Sequence, residues 1–167
     1  MELVVAFMVA ATSTCGVPSA EGVAQRSLPY AEFDSRGAPF GWRALAATGC
    51  TDAAISLLDE YAKANRSRLS AAESGEVAFH IGQALAMAGR EQESIAPFER
   101  ALHPGASAEW SIYVNATLAF LRRDVVALKA ARASYETIAP GSVRLRIIEG
   151  LVACPAEPYI KAAHCSM

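Results

Sequence analysis

Over residues 42–151 the apolar side chains recur at spacings of three and four, and no stretch alternates apolar with polar long enough to make a strand. A helix turns once in 3.6 residues, so this spacing gathers them on one stripe and leaves helix-on-helix packing as the way to bury it. The chain is therefore expected to be all-α. Its 35 alanines among 167 residues agree, because Ala is the strongest helix former and its small side chain lets two helices approach closely. With 53% hydrophobic and 19% charged residues and a mean hydropathy of +0.21, the chain lies far from the disordered regime and has length enough for one domain with a core. Fifteen Lys and Arg against 17 Asp and Glu leave a formal charge of -2 and no basic block, which excludes the electrostatic footprint of a nucleic-acid binder.

Capping residues place the helix boundaries. Trp42, Leu45 and Ala46 share a face before Gly49 ends a first helix, and Thr51 is expected to cap the second, which buries Ala54, Ile55, Leu58, Tyr61 and Ala62. Ser70 and Glu73 form a capping box for a third helix over residues 71–88, with Val77, Ala78, Ile81, Ala84 and Leu85 on one stripe and Gly89 at its end. A fourth over 91–103 carries Ile95, Phe98 and Leu102, with Pro97 inside it removing one backbone hydrogen bond. Ser107, Asp124 and Ser142 open three more, whose inward residues are expected to be Val114, Leu118 and Leu121, then Leu128, Ala131, Tyr135 and Ile138, then Val143, Ile147 and Leu151.

The helices come in pairs with very short internal turns. Gly75 and Ala108 open two pairs 33 residues apart, close to the 34 of a tetratricopeptide repeat. The unit from Gly75 resembles that family at Gly82, the small residue where paired helices approach, and at Leu85, the turn residue Gly89, the aromatic Phe98 and the small Ala101. It departs at Ser94, where the family has Ala. The unit from Ala108 fits at Leu118 and Ala127 but has Asn115 at the small position, and the first pair has bulky Trp42 there. The resemblance covers residues 38–139 and implies a right-handed superhelix of about three helix pairs with a C-terminal capping helix; an irregular helical bundle is the alternative.

The resemblance also implies a groove lined by the first helix of each pair and open to a protein or peptide segment. Carried over position by position, its lining is Arg43 from the first unit, Glu76, Phe79, Gln83 and Met87 from the second, and Glu109, Ile112, Ala116 and Phe120 from the third. The family's clamp of Lys, Arg and Asn for a terminal carboxylate is absent from these positions. The first helix or the N-terminal arm covering this apolar patch is the competing expectation.

Residues 3–11 form an apolar run too short to cross a membrane and are followed by small residues, as in a secretory signal, although Glu2 replaces the usual basic start. We expect a signal peptide over 1–20, cut after Ala20 or Ala24, then a linker or arm over 21–34, the helical domain over 35–153 and a tail over 154–167. A periplasmic or secreted location follows from that signal. Arg outnumbers Lys 12 to 3, which with the abundant Ala suggests a GC-rich bacterial genome.

Export permits disulfides, and Cys154 and Cys165 bracket a turn-prone stretch that a bridge can close. Cys15 is expected to leave with the signal, so Cys50 is expected to stand alone as a half-buried thiol. Neither a phosphate loop, a nucleophile elbow nor a zinc-protease motif occurs, and no metal or cofactor is expected. Glu76 and His80 lie one turn apart and share a face, which suits surface ion pairing better than general-base work. The expected function is thus an exported, non-enzymatic scaffold binding a protein or peptide; the alternative is a small envelope enzyme or thiol protein using Cys50 or the Glu76/His80 pair.

Overall fold

A computed structural model describes residue 15 and residues 19–36 and 41–165. Every regular element among them is a helix: α1 (Ser19–Ser27), α2 (Tyr30–Phe33), α3 (Trp42–Ala47), α4 (Thr51–Ala64), α5 (Ala71–Met87), α6 (Glu91–Ala101), α7 (Ala108–Leu121), α8 (Val125–Ile138), α9 (Val143–Ala153) and α10 (Tyr159–Ala162). None of the described helices is long and apolar enough to cross a membrane. The expected all-α fold is what the chain adopts.

Three helical hairpins, α3–α4, α5–α6 and α7–α8, share one turn design. In each, a three-residue turn has its middle residue in the left-handed region: Gly49 at φ 81°, Gly89 at φ 79° and Arg123 at φ 59°. The residue after it donates back to a carbonyl in the last helical turns: Cys50 to Leu45 at 2.8 Å, Arg90 to Leu85 at 2.9 Å and Asp124 to Ala119 at 2.8 Å. Glycine adopts this conformation without steric cost, whereas Arg123 does not.

The N-terminal caps follow the sequence closely. Ser70 and Glu73 make the reciprocal capping box, and Ser107, Asp124 and Ser142 each accept a backbone N–H three residues on. Thr51 departs from expectation: it is the first residue inside α4, and Cys50 holds the cap position without a side-chain hydrogen bond. Cys50 is instead committed to a disulfide.

The core has two parts joined by α5. Val77, Ile81 and Leu85 face a cluster with Phe33, Trp42, Leu58 and Tyr61, while Ala78, Phe79 and Ala86 face a larger one with Phe98, Val114, Phe120, Tyr135, Ile148 and Tyr159. A helix apolar on nearly all sides is one that must be buried on nearly all sides. Gly82 is where α6 comes nearest: a Cβ there would lie 2.9 Å from the Phe98 ring. α9 is rotated from its expected phase, burying Leu145, Ile148 and Leu151 while Val143 is 60% exposed. The cause is Gly150, which faces the carbonyl of Ala162 with no room for a side chain and so turns α9 toward α10.

The N-terminal arm over 21–34 is a docked element with two helices. Phe33 stacks on Tyr61 with ring centroids 3.6 Å apart, Tyr61 donates its hydroxyl to the Leu28 carbonyl, and the buried Asn65 amide donates to the Arg26 carbonyl. Arg26 also pairs with Glu60.

Two disulfides close the chain, Cys15–Cys50 and Cys154–Cys165. The second is the expected pair. The first corrects the reading of Cys50 as a lone thiol: Cys50 is bonded and buried, and Cys15 belongs to the fold. Cleavage after Ala20 or Ala24 would detach Cys15 from the main chain and cut into α1, whereas residues 1–14 of the expected signal lie outside the described residues. Two such bonds fit an oxidising, extracytoplasmic compartment.

Candidate functional site

The first helices of the hairpins and α9 line one concave pocket of about 520 Å³. Helical spacing explains the lining: Glu76, Phe79, His80 and Gln83 lie on one stripe of α5, Trp110 and Tyr113 on one stripe of α7, and Val143, Arg144 and Ile147 on α9. The arm completes it with Asp34 and Arg36, opposite Arg43 of α3.

The floor is aromatic. Phe79 lies 5.1 Å from the Trp110 ring and 5.3 Å from the Tyr113 ring, and Arg144 spans the last two at 5.4 Å from each centroid. Burial pushes the Tyr113 hydroxyl up to about 12, so it stays a neutral donor at any physiological pH.

The walls are polar and largely paired. Asp34 accepts from Arg43 at 2.8 Å and stands 3.3 Å from His80 Nε2, while Tyr30 donates to Glu76 at 2.6 Å. Burial opposes the Asp34 carboxylate, but the His80 hydrogen bond and charge, together with Arg43, outweigh it and hold its pKa below the ordinary range. Tyr30 is shifted upward by burial and then by its bond to Glu76. Glu76 and His80 therefore do not pair with each other as their spacing suggested; each is claimed by a residue of the arm. His80 Nε2 faces Asp34, and its Nδ1 is buried without a hydrogen-bond partner. Four of the expected lining residues, Arg43, Glu76, Phe79 and Gln83, do meet in this pocket.

The remaining expected positions are elsewhere. Met87 is 45% exposed outside it, and Glu109 is tied to Tyr135 and Arg144. Ile112 is partly buried against the core, while Ala116 and Phe120 are fully buried and unavailable as an open surface. What covers Phe120 is the chain's own C-terminal segment. Tyr159 of α10 packs 6.1 Å from Phe120 and 6.5 Å from Phe98. The open pocket and the surface around Phe120 are thus separate places, and the second is filled from within the molecule.

No family model, no curated protein and no solved structure matches the chain. The site therefore stands on its own geometry.

Sequence reasoning missed Asp34, Arg36 and Arg144 because the groove positions were carried over from the first helices of three units only, and on α7 it named Glu109 and Ile112 where the neighbouring Trp110 and Tyr113 line the pocket. Arg144 lies on a fourth such helix and Asp34 on the arm. The signal for Tyr159 was present: a buried-type aromatic set between two cysteines in an otherwise small and polar tail.

Among the described residues no group of three or more His, Cys, Asp or Glu could hold a metal. Cys154 and Cys165 are consumed by their disulfide, and no cysteine is free.

Proposed function

We propose that this chain is an exported, non-enzymatic scaffold of tetratricopeptide type that binds a short protein segment in the pocket between α3, α5, α7 and α9. The equivalent turns at Gly49, Gly89 and Arg123 and the Gly82–Phe98 approach support the repeat reading. The observation that carries the binding reading is the lining itself: an aromatic floor of Phe79, Trp110 and Tyr113 under walls holding both signs of charge. Such a surface takes an extended segment by apolar contact below and backbone or side-chain hydrogen bonds at the rim.

Site-specific photocrosslinking tests the reading. A photoreactive residue at Val143, which lines the pocket and is exposed, is expected to trap a partner in the native compartment, and one at Val126, exposed on the outer side of α8, is not. The trapped species is expected to weaken in Arg144→Glu. Equal trapping at both positions, or no effect of Arg144→Glu, would overturn it.

A further inference from the structure

The C-terminal segment over 155–165 is held in the manner of a bound peptide. Tyr159 fills a recess and Ala162 and Ala163 are buried beside it, while Ile160 and Lys161 stay exposed. The polar grips fall on its backbone: Glu91 Oε1 accepts the Tyr159 N–H at 2.6 Å, and Arg123 donates to the carbonyls of Pro155 at 2.7 Å and Glu157 at 3.4 Å. Backbone hydrogen bonds together with a few side chains seated in pockets are the general grammar of peptide recognition. The segment's only helix, α10, has four residues, too few to persist without its contacts. Arg123 adds independent weight, because it holds a left-handed backbone where the other two hairpins use Gly, and its guanidinium bridges Glu91 and the segment.

The recess adjoins the open pocket through packed rings: Phe79 lines the pocket and lies 5.1 Å from Phe98, which in turn lies 6.5 Å from Tyr159. Both ends of the segment are joined by Cys154–Cys165, and Cys165 is exposed to an incoming thiol. The bond converts a tail tethered at one end into a ring, which keeps the local concentration of Tyr159 at its recess high.

We propose that this segment is an intramolecular occupant of the peptide face, released when Cys154–Cys165 is reduced, and that the vacated recess then takes in trans a partner segment with an aromatic residue directly after a proline, as in Pro158–Tyr159. The proposal rests on reading the concave face as a peptide groove. The reductant is a dithiol: two electrons and two protons pass to the Cys154 and Cys165 sulfurs, giving two thiols, and the dithiol leaves as its own disulfide.

The test uses the full chain carrying Cys154→Ser and Cys165→Ser, which leaves Cys15–Cys50 intact, and a fluorophore-labelled peptide of residues 155–164. Hydrogen exchange over 155–165 is expected to accelerate, and the peptide is expected to bind the variant at least about tenfold more tightly than the oxidised wild type. A peptide with Ala in place of Tyr159 is expected not to bind. Unchanged protection of 155–165 in the variant would overturn the proposal and leave the groove reading standing. Lost protection without peptide binding would overturn both. Arg123→Ala, with the disulfide kept, supplies the second variant: global loss of helix in both would show that the segment is a piece of the core and no detachable occupant.

Discussion

Glu91 Oε1 accepts the backbone N–H of Tyr159 at 2.6 Å across 68 residues of sequence. Its other oxygen accepts from Arg123 at 2.9 Å, so one carboxylate in the first turn of α6 ties the end of α7 to the start of α10. Glu91→Ala is expected to cost about 1–3 kcal/mol, the range for hydrogen bonds to a charged group that leave a partner unsatisfied. Urea unfolding measures it, and a loss within error of zero would show that the Tyr159 tie is solvated.

Arg123 separates backbone strain from side-chain grip. Arg123→Ala loses the bonds to Pro155 and Glu157 and keeps a left-handed backbone, whereas Arg123→Gly loses the same bonds and relieves that backbone. Glycine is expected to be the more stable variant by about 1 kcal/mol, with hydrogen exchange over 155–165 equally accelerated in both. Equal stabilities would remove the strain argument.

The Asp34 cluster predicts an acid dependence. Its folded pKa is depressed by His80 and Arg43 against the opposition of burial, so its contribution is present above the ordinary carboxylate value of about 3.9 and declines as pH falls through the lower folded value. Asp34→Asn is expected to reduce stability at neutral pH and to flatten the acid limb of the stability curve below about pH 4. A parallel acid limb in the two proteins would assign the acid sensitivity to other carboxylates.

The two disulfides span different lengths, 35 residues for Cys15–Cys50 and 11 for Cys154–Cys165. On chain entropy, replacing the first pair by Ser is expected to cost roughly 3–4 kcal/mol and the second about 3. The mature protein is further expected to retain Cys15, which intact mass with and without reductant checks directly. A mature chain beginning after Ala20 or Ala24 would leave Cys50 free.

Gly82 sits against the flat of the Phe98 ring, with room for no Cβ. Gly82→Ala is expected to cost about 1–3 kcal/mol by overpacking, read as a lowered Tm. The same change at Gly89, which has nothing near it, acts only through its left-handed backbone.

Local chemistry made much of the fold legible. The helices and their capping at Ser70, Ser107, Asp124 and Ser142 follow from hydrogen bonds within four residues of chain, and the Gly82 approach from residue size. The facing surfaces were less legible. Val143 and Ile147 satisfy the apolar period of α9 as well as Leu145 and Ile148 do, and only the close approach of Ala162 to Gly150 decides which stripe turns inward. Four of the nine expected lining positions meet in the pocket because a helix stripe is periodic; Phe120 does not, because nothing in its own spacing reveals that Tyr159 returns to cover it.

By itself the sequence determined that this protein is helical, where its turns fall and that Cys154 can reach Cys165, since each of these depends on residues near one another along the chain. The tertiary structure alone decided that Cys15 meets Cys50, that Asp34 meets His80 and that Tyr159 packs against Phe120. Those pairings join residues tens of positions apart, and their stability comes from burial that exists only once the hairpins have stacked.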